Sequence, residues 1–174
     1  MCNCLGIKYD RVLLLLSDAA AYMLKARIAL CGTYPKMRHL TCLAHALHRI
    51  CEEIRAYARR VDALIATGNR QFRKCPSRVM AFKRNLPNVS LPPKPVLTRW
   101  GTWLEAAIYY ADHFLKLRNL VKTFDAQDSV IVIDAQSAFG DDQVLSQLAY
   151  IKAHFGNKYF AFLHYGYLKS VLCL

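Results

Sequence analysis

Apolar residues recur every three or four positions along Leu47, Ile50, Cys51, Ile54, Tyr57, Ala58, Val61, Leu64 and Ile65, while Arg49, Glu52, Glu53, Arg59 and Arg60 fall off that stripe. This period puts the apolar side chains on one face of an α-helix, with Gly68 and Asn69 as the expected stop. A second stripe, Trp103, Ala107, Tyr110, Phe114, Leu117 and Val121, predicts another amphipathic helix, and residues 143–155 a third. Residues 11–17 read Arg-Val-Leu-Leu-Leu-Leu-Ser, a short run that fits a buried strand, although its leucines alone also suit a helix. Asp18 stands at the end of that run. Residues 19–30 are rich in alanine and good helix formers, and Gly32 and Pro35 end the helix they predict. Residues 38–43 alternate and predict a second strand. Four prolines at 87, 92, 93 and 95 predict an extended connector. Residues 125–142 are less regular, and the stretch from Gly156 is aromatic and without a period. The expected architecture is α/β but mostly helical, with two strands and five or six helices.

Charge changes the picture more than composition does. The 174 residues are 55% hydrophobic, enough for a packed core and too many for a disordered chain. The length suits one domain. The formal net charge is +12, and it is uneven. Residues 1–90 carry 16 Lys+Arg against 5 Asp+Glu, whereas residues 91–174 carry 8 against 7. Such a basic half points to a polyanion, of which nucleic acid is the commonest. The densest part is Arg70, Arg73, Lys74, Arg78, Lys83 and Arg84, expected on one or two short helices; it fits a phosphate-tracking surface and a solvated helix face equally well. No apolar run is long enough to span a membrane or to serve as a secretory signal. Seven cysteines, odd in number and irregular in spacing, read as reduced thiols rather than a disulfide framework.

Three constellations carry candidate chemistry. Asp18, just past a strand, fits a metal-binding carboxylate, since ligands gather at strand C-termini in α/β sheets; spacing alone favours a cap on the helix after it, and the two roles are compatible. Cys42, His45, His48 and Cys51 are spaced by three, but the zinc geometry is poor: positions three apart drift around a helix instead of converging. Arg99-Trp100, with Trp103 nearby, offers a phosphate contact beside a stacking ring. Trp103 lies on the apolar stripe and reads as core. There is no Gly-rich phosphate loop, nucleophile elbow or HExxH.

Taken in order, three segments resemble the hAT superfamily of DNA transposases over residues 10–155. They are Leu16-Ser17-Asp18-Ala19-Ala20-Ala21-Tyr22-Met23, Cys42-Leu43-Ala44-His45 and Thr98-Arg99-Trp100. The resemblance implies part of an RNase H-like fold running into a helical insertion, with residues 156–174 as a divergent tail. It implies a nuclear location and DNA as partner. It also implies a metal-dependent triad of two Asp and one Glu, in which Asp18 matches the second Asp, Cys42 and His45 match a pair near the active site, and Trp100 matches a DNA-contacting residue. Ala19 replaces the usual Asn, and Gly101-Thr102 stands where Asn-Ser is frequent.

The other triad members have no counterpart. Asp10 is the only acidic residue before Asp18, and Glu105 and the later Asp residues lack the expected context. A two-ion site needs several carboxylates. The expectation is therefore a catalytically inactive fragment that needs no cofactor, with Mg or Mn bound only in a complete homologue. Room remains for residual non-specific DNA binding. The incomplete sheet leaves an apolar strand edge for self-association or a partner chain. Two other readings stand beside this one: part of a full transposase whose remaining segments supply the triad, and a protein-interaction module.

Overall fold

Four residues of the apolar run pair with a second strand. Leu14–Ser17 forms β1 and Arg38–Thr41 forms β2. They run parallel, in register from Leu14 opposite Arg38 to Ser17 opposite Thr41. The Arg38 N–H donates to the Leu13 carbonyl and the Cys42 N–H to the Ser17 carbonyl, which extends the ladder at both ends. Helix α1 (Ala21–Cys31) makes the crossover that a parallel pair requires. β1 is shorter than the run that predicts it, because Tyr9–Arg11 turns as a 3-10 helix. Asp10 lies in that turn, off the strand, and pairs loosely with Lys36 at 4.0 Å.

This computed structural model describes residues 8–18, 20–96 and 101–164, with backbone alone at 43, 44, 47 and 157–164. It is mostly helical, with the one two-stranded parallel sheet among the described residues. The chain divides into two compact units, Met1–Ile50 and Cys51–Leu174. Helix α2 (Leu43–Tyr57) begins in the first and ends in the second.

The second unit holds α3 (Arg59–Arg73), α4 (Pro76–Asn85), α5 (Thr102–Lys122), α6 (Val130–Gly140) and α7 (Asp142–His164). Its core gathers on α5, whose Tyr110, Phe114 and Leu117 are fully or almost fully buried against α3, α6 and α7. Phe72 of α3 and Phe82 of α4 meet edge to face at 5.2 Å.

Four expectations need correction. The single helix predicted through Ile65 breaks at Ala58 (φ −92°, ψ 52°), so its stripe is shared by α2 and α3. Gly68 does not stop α3. The glycine instead makes room for Tyr110, since a Cβ there would sit 2.0 Å from the Tyr110 hydroxyl oxygen. Arg70 and Arg73 consequently lie in the last turn of α3, not on a separate basic helix. Residues 125–142 contain α6, whose near-continuous Val-Ile-Val-Ile start hides the helical period. Ser129 begins it, its hydroxyl accepting the Ile131 N–H. Finally, α7 runs past Gly156 to His164, where no period predicts a helix.

Candidate nucleic-acid interface

Between residues 69 and 123 the chain carries 11 Lys+Arg against 2 Asp+Glu. Of the two acids, Asp112 is held by Lys152 at 2.5 Å, and Glu105 lies in the first turn of α5. Internal partners take up some of the cations. Arg70 sits 3.6 Å from Asp134, and Arg118 sits 3.6 Å from Asp142. Arg73 donates to the Pro92 carbonyl at 2.9 Å, which ties the proline connector to α3. Arg78 donates to the Gln71 side-chain oxygen at 3.1 Å, which ties α4 to α3. Lys74, Lys83, Arg84, Lys94, Lys116 and Lys122 are exposed, and none has a carboxylate partner among the described residues.

The end of α4 lies against the C-terminal half of α5, and Asn85, Leu86, Lys116, Asn119 and Thr123 line a hollow of about 300 Å³ between them. The connector is fastened to α5 by the Tyr109 hydroxyl, which donates to the Ser90 carbonyl at 2.5 Å. Lys83 and Arg84 occupy the last turn of α4 and Lys122 that of α5. There the helix dipole favours cations by about 0.3–1 kcal/mol each, so part of the charge also serves the helices. Lys94, Lys116 and Lys122 lie outside the basic run that the sequence singles out. The last two fall in residues 113–122, the second half of α5, which hold Lys116, Arg118 and Lys122 and no carboxylate, a signal present in the sequence.

Within this region Cys75 precedes α4. Its sulfur lies 3.1 Å from the Ser77 hydroxyl, and that hydrogen bond, with the Arg78 backbone N–H and guanidinium, lowers the thiol to about 7. Cys31, Cys42, Cys51 and Cys75 are in no disulfide among the described residues.

Asp18 makes a local turn bond instead of capping α1, whose N-cap is Ala20. Its Oδ1 accepts the Ala20 N–H at 3.2 Å, just ahead of α1. Behind it, the Ser17 hydroxyl donates to the Asp18 carbonyl at 2.9 Å and stands 2.8 Å from His39 Nε2. Among the described residues no three of His, Cys, Asp and Glu come together to hold an ion. One carboxylate does not make a two-metal centre. Cys42 is buried at the end of β2, its N–H on the Ser17 carbonyl at 2.7 Å. His45 lies in the first turn of α2.

Arg99 and Trp100 lie outside the described residues. Gly101, the next residue along the chain, has φ 77°, the left-handed region. The Thr102 hydroxyl accepts the Val96 N–H at 3.0 Å and donates to the Val96 carbonyl at 3.1 Å, closing the loop at the start of α5. Trp103 is core, as its stripe position predicts. Its indole N–H donates to Asp62 at 2.9 Å, and Arg55 clamps the same carboxylate with two donors. Among the described residues no helix is long and apolar enough to cross a membrane.

No protein-family model, curated protein or solved structure matches this chain.

Proposed function

We propose that the chain is a transposase-derived fragment that binds nucleic acid without cutting it, through the cationic face of α3, α4, the proline connector and α5. One observation carries the reading. Lys74, Lys83, Arg84, Lys94, Lys116 and Lys122 are exposed without carboxylate partners among the described residues, in a segment nearly devoid of acids. Such a surface gains free energy by releasing the counterions condensed on a phosphate backbone, and it reads no sequence.

Two further features support the transposase ancestry and its RNase H-like origin. A parallel β–α–β unit carries Asp18 just past the end of its first strand. The departure at Gly101-Thr102 is also physically mild. A left-handed position accepts glycine or asparagine, and a threonine hydroxyl makes the bonds a serine makes. DNA as the partner carries a nuclear location with it.

Fluorescence anisotropy on a mixed-sequence duplex, repeated across salt concentrations, tests the proposal. Each phosphate contact contributes about −0.9 to the slope of log K against log salt, so six cations predict a slope of about −5 if all engage phosphate, and a shallower one if fewer do. Replacing Lys83 and Arg84 together by alanine flattens it by about 1–2, equally for any sequence. Binding that is absent, or indifferent to salt, removes the reading.

A further inference from the structure

Where α4 ends against α5 the surface is hollowed. Lys116, Asn119 and Thr123, spaced by three and four along α5 and its C-cap, fall on one side of that helix. Asn85 is the last residue of α4, and Leu86 follows it. With Leu120 these residues line a space of about 300 Å³. That is the lower end of the range for ligand pockets, room for one base and not for a duplex.

The hollow carries unused polar groups. The Asn119 amide is exposed and has no hydrogen-bond partner among the described residues, so a donor and an acceptor are both open. Asn85 donates from Nδ2 to the Ala81 carbonyl at 2.8 Å, which leaves Oδ1 as an acceptor. The Thr123 hydroxyl donates to the Leu120 carbonyl at 2.7 Å, which leaves its oxygen to accept. Leu86, half-buried, and Leu120, buried, add apolar contact. Lys116 adds an ammonium with no carboxylate partner among the described residues. Lys83 and Arg84 immediately precede Asn85, and Lys122 immediately precedes Thr123.

We propose that this hollow holds one unpaired base, so that the chain engages a DNA single strand here and a duplex only along its backbone. The inference rests on the nucleic-acid reading of the cationic face and names the form of DNA that the face takes. An unpaired base exposes a donor beside an acceptor on its Watson–Crick edge, and an asparagine amide is the matching pair. In a duplex the complementary strand occupies that edge, and extruding a base is costly, least so in a single strand. The neighbouring cations engage the phosphates that flank the base. Because every base has such an edge, the hollow selects strandedness and not sequence.

Fluorescence anisotropy at one salt concentration, with three labelled probes of equal length, tests this. The probes are a mixed-sequence DNA single strand, its duplex, and an abasic deoxyribose-phosphate strand that keeps the charges without the bases. Asn119→Leu removes the amide at constant charge. It should weaken the single strand about tenfold, the worth of one bidentate base contact, and leave the duplex and the abasic strand within about twofold. Asn119 is exposed, so circular dichroism of the variant stays that of the parent. Asn85→Leu, on the other helix, should give the same pattern with a smaller loss. A single strand indifferent to Asn119→Leu overturns the inference, and so do equal losses on the duplex or on the abasic strand; the cationic face survives each of these results. A parent chain that binds none of the three probes overturns both.

Discussion

Gly101 shows how much one backbone angle decides. At φ 77° a side chain with a β-carbon is disfavoured by about 1–2 kcal/mol, and a β-branched one by more. Asparagine is the exception, because its short amide tolerates this region. Gly101→Asn should lower the unfolding free energy by under about 1 kcal/mol, and Gly101→Val by about 2 kcal/mol or more. Chemical denaturation of the two variants checks this. Equal losses would mean that the loop ahead of α5 does not demand the left-handed angle. Trp103 and Asp18 are residue-scale choices of a different kind. Each fits a functional and a structural role. Trp103 takes the structural one, donating to the Asp62 carboxylate, whereas Asp18 accepts only the Ala20 N–H in a local turn and leaves α1 without a side-chain cap.

Between elements, the tightest approach is that of α5 to α3. The Tyr110 hydroxyl fits over Gly68, buried and without a hydrogen-bond partner among the described residues. Burial drives its ionisation far above the usual range, so it stays neutral at any ordinary pH. Gly68→Ala gains about 1 kcal/mol of helix propensity, yet it forces a methyl into that ring. Overpacking of this kind costs about 1–3 kcal/mol, so a net loss of about 1–2 kcal/mol is expected. Tyr110→Phe alone should be neutral or mildly stabilising, since an unsatisfied buried hydroxyl is itself unfavourable. Combined with Gly68→Ala it should recover part of the loss, the ring carbons remaining 2.8 and 3.0 Å from the new methyl. A thermal-denaturation double-mutant cycle reads the coupling, and strict additivity would deny the contact. The same glycine explains what periodicity could and could not predict. The stripes along α2, α3 and α5 are legible because half of each helix faces solvent. Gly68 looks like a stop because its packing partner, Tyr110, is remote in sequence. α6 is obscured because its start is apolar all round, which leaves no polar face to set the period. The six exposed cations are only partly legible. The run at 70–84 stands out as composition, whereas Lys94, Lys116 and Lys122 are spread along the connector and α5 and are singled out only by their exposure without carboxylate partners among the described residues.

At the scale of the whole chain the two units differ in what holds them. Among the described residues of Met1–Ile50, the buried ones are Met37, Cys42 and Ser17, and α1 buries none. In Cys51–Leu174, α5 alone buries nine residues, and aromatic contacts link Phe72 to Phe82 and Phe114 to Phe139. At about 1.5–3 kcal/mol per fully buried large apolar side chain, the second unit has ample driving force and the first has little. Opening should therefore be uneven. Native-state hydrogen exchange on the dilute protein is expected to give α3 and α5 the highest protection, approaching global unfolding. The amides of β1, β2 and α1 should exchange at least about 100-fold faster, through local opening that leaves the helical unit intact. Exchange at one common rate in both units would mean that the parallel strands are stabilised as part of a single cooperative structure.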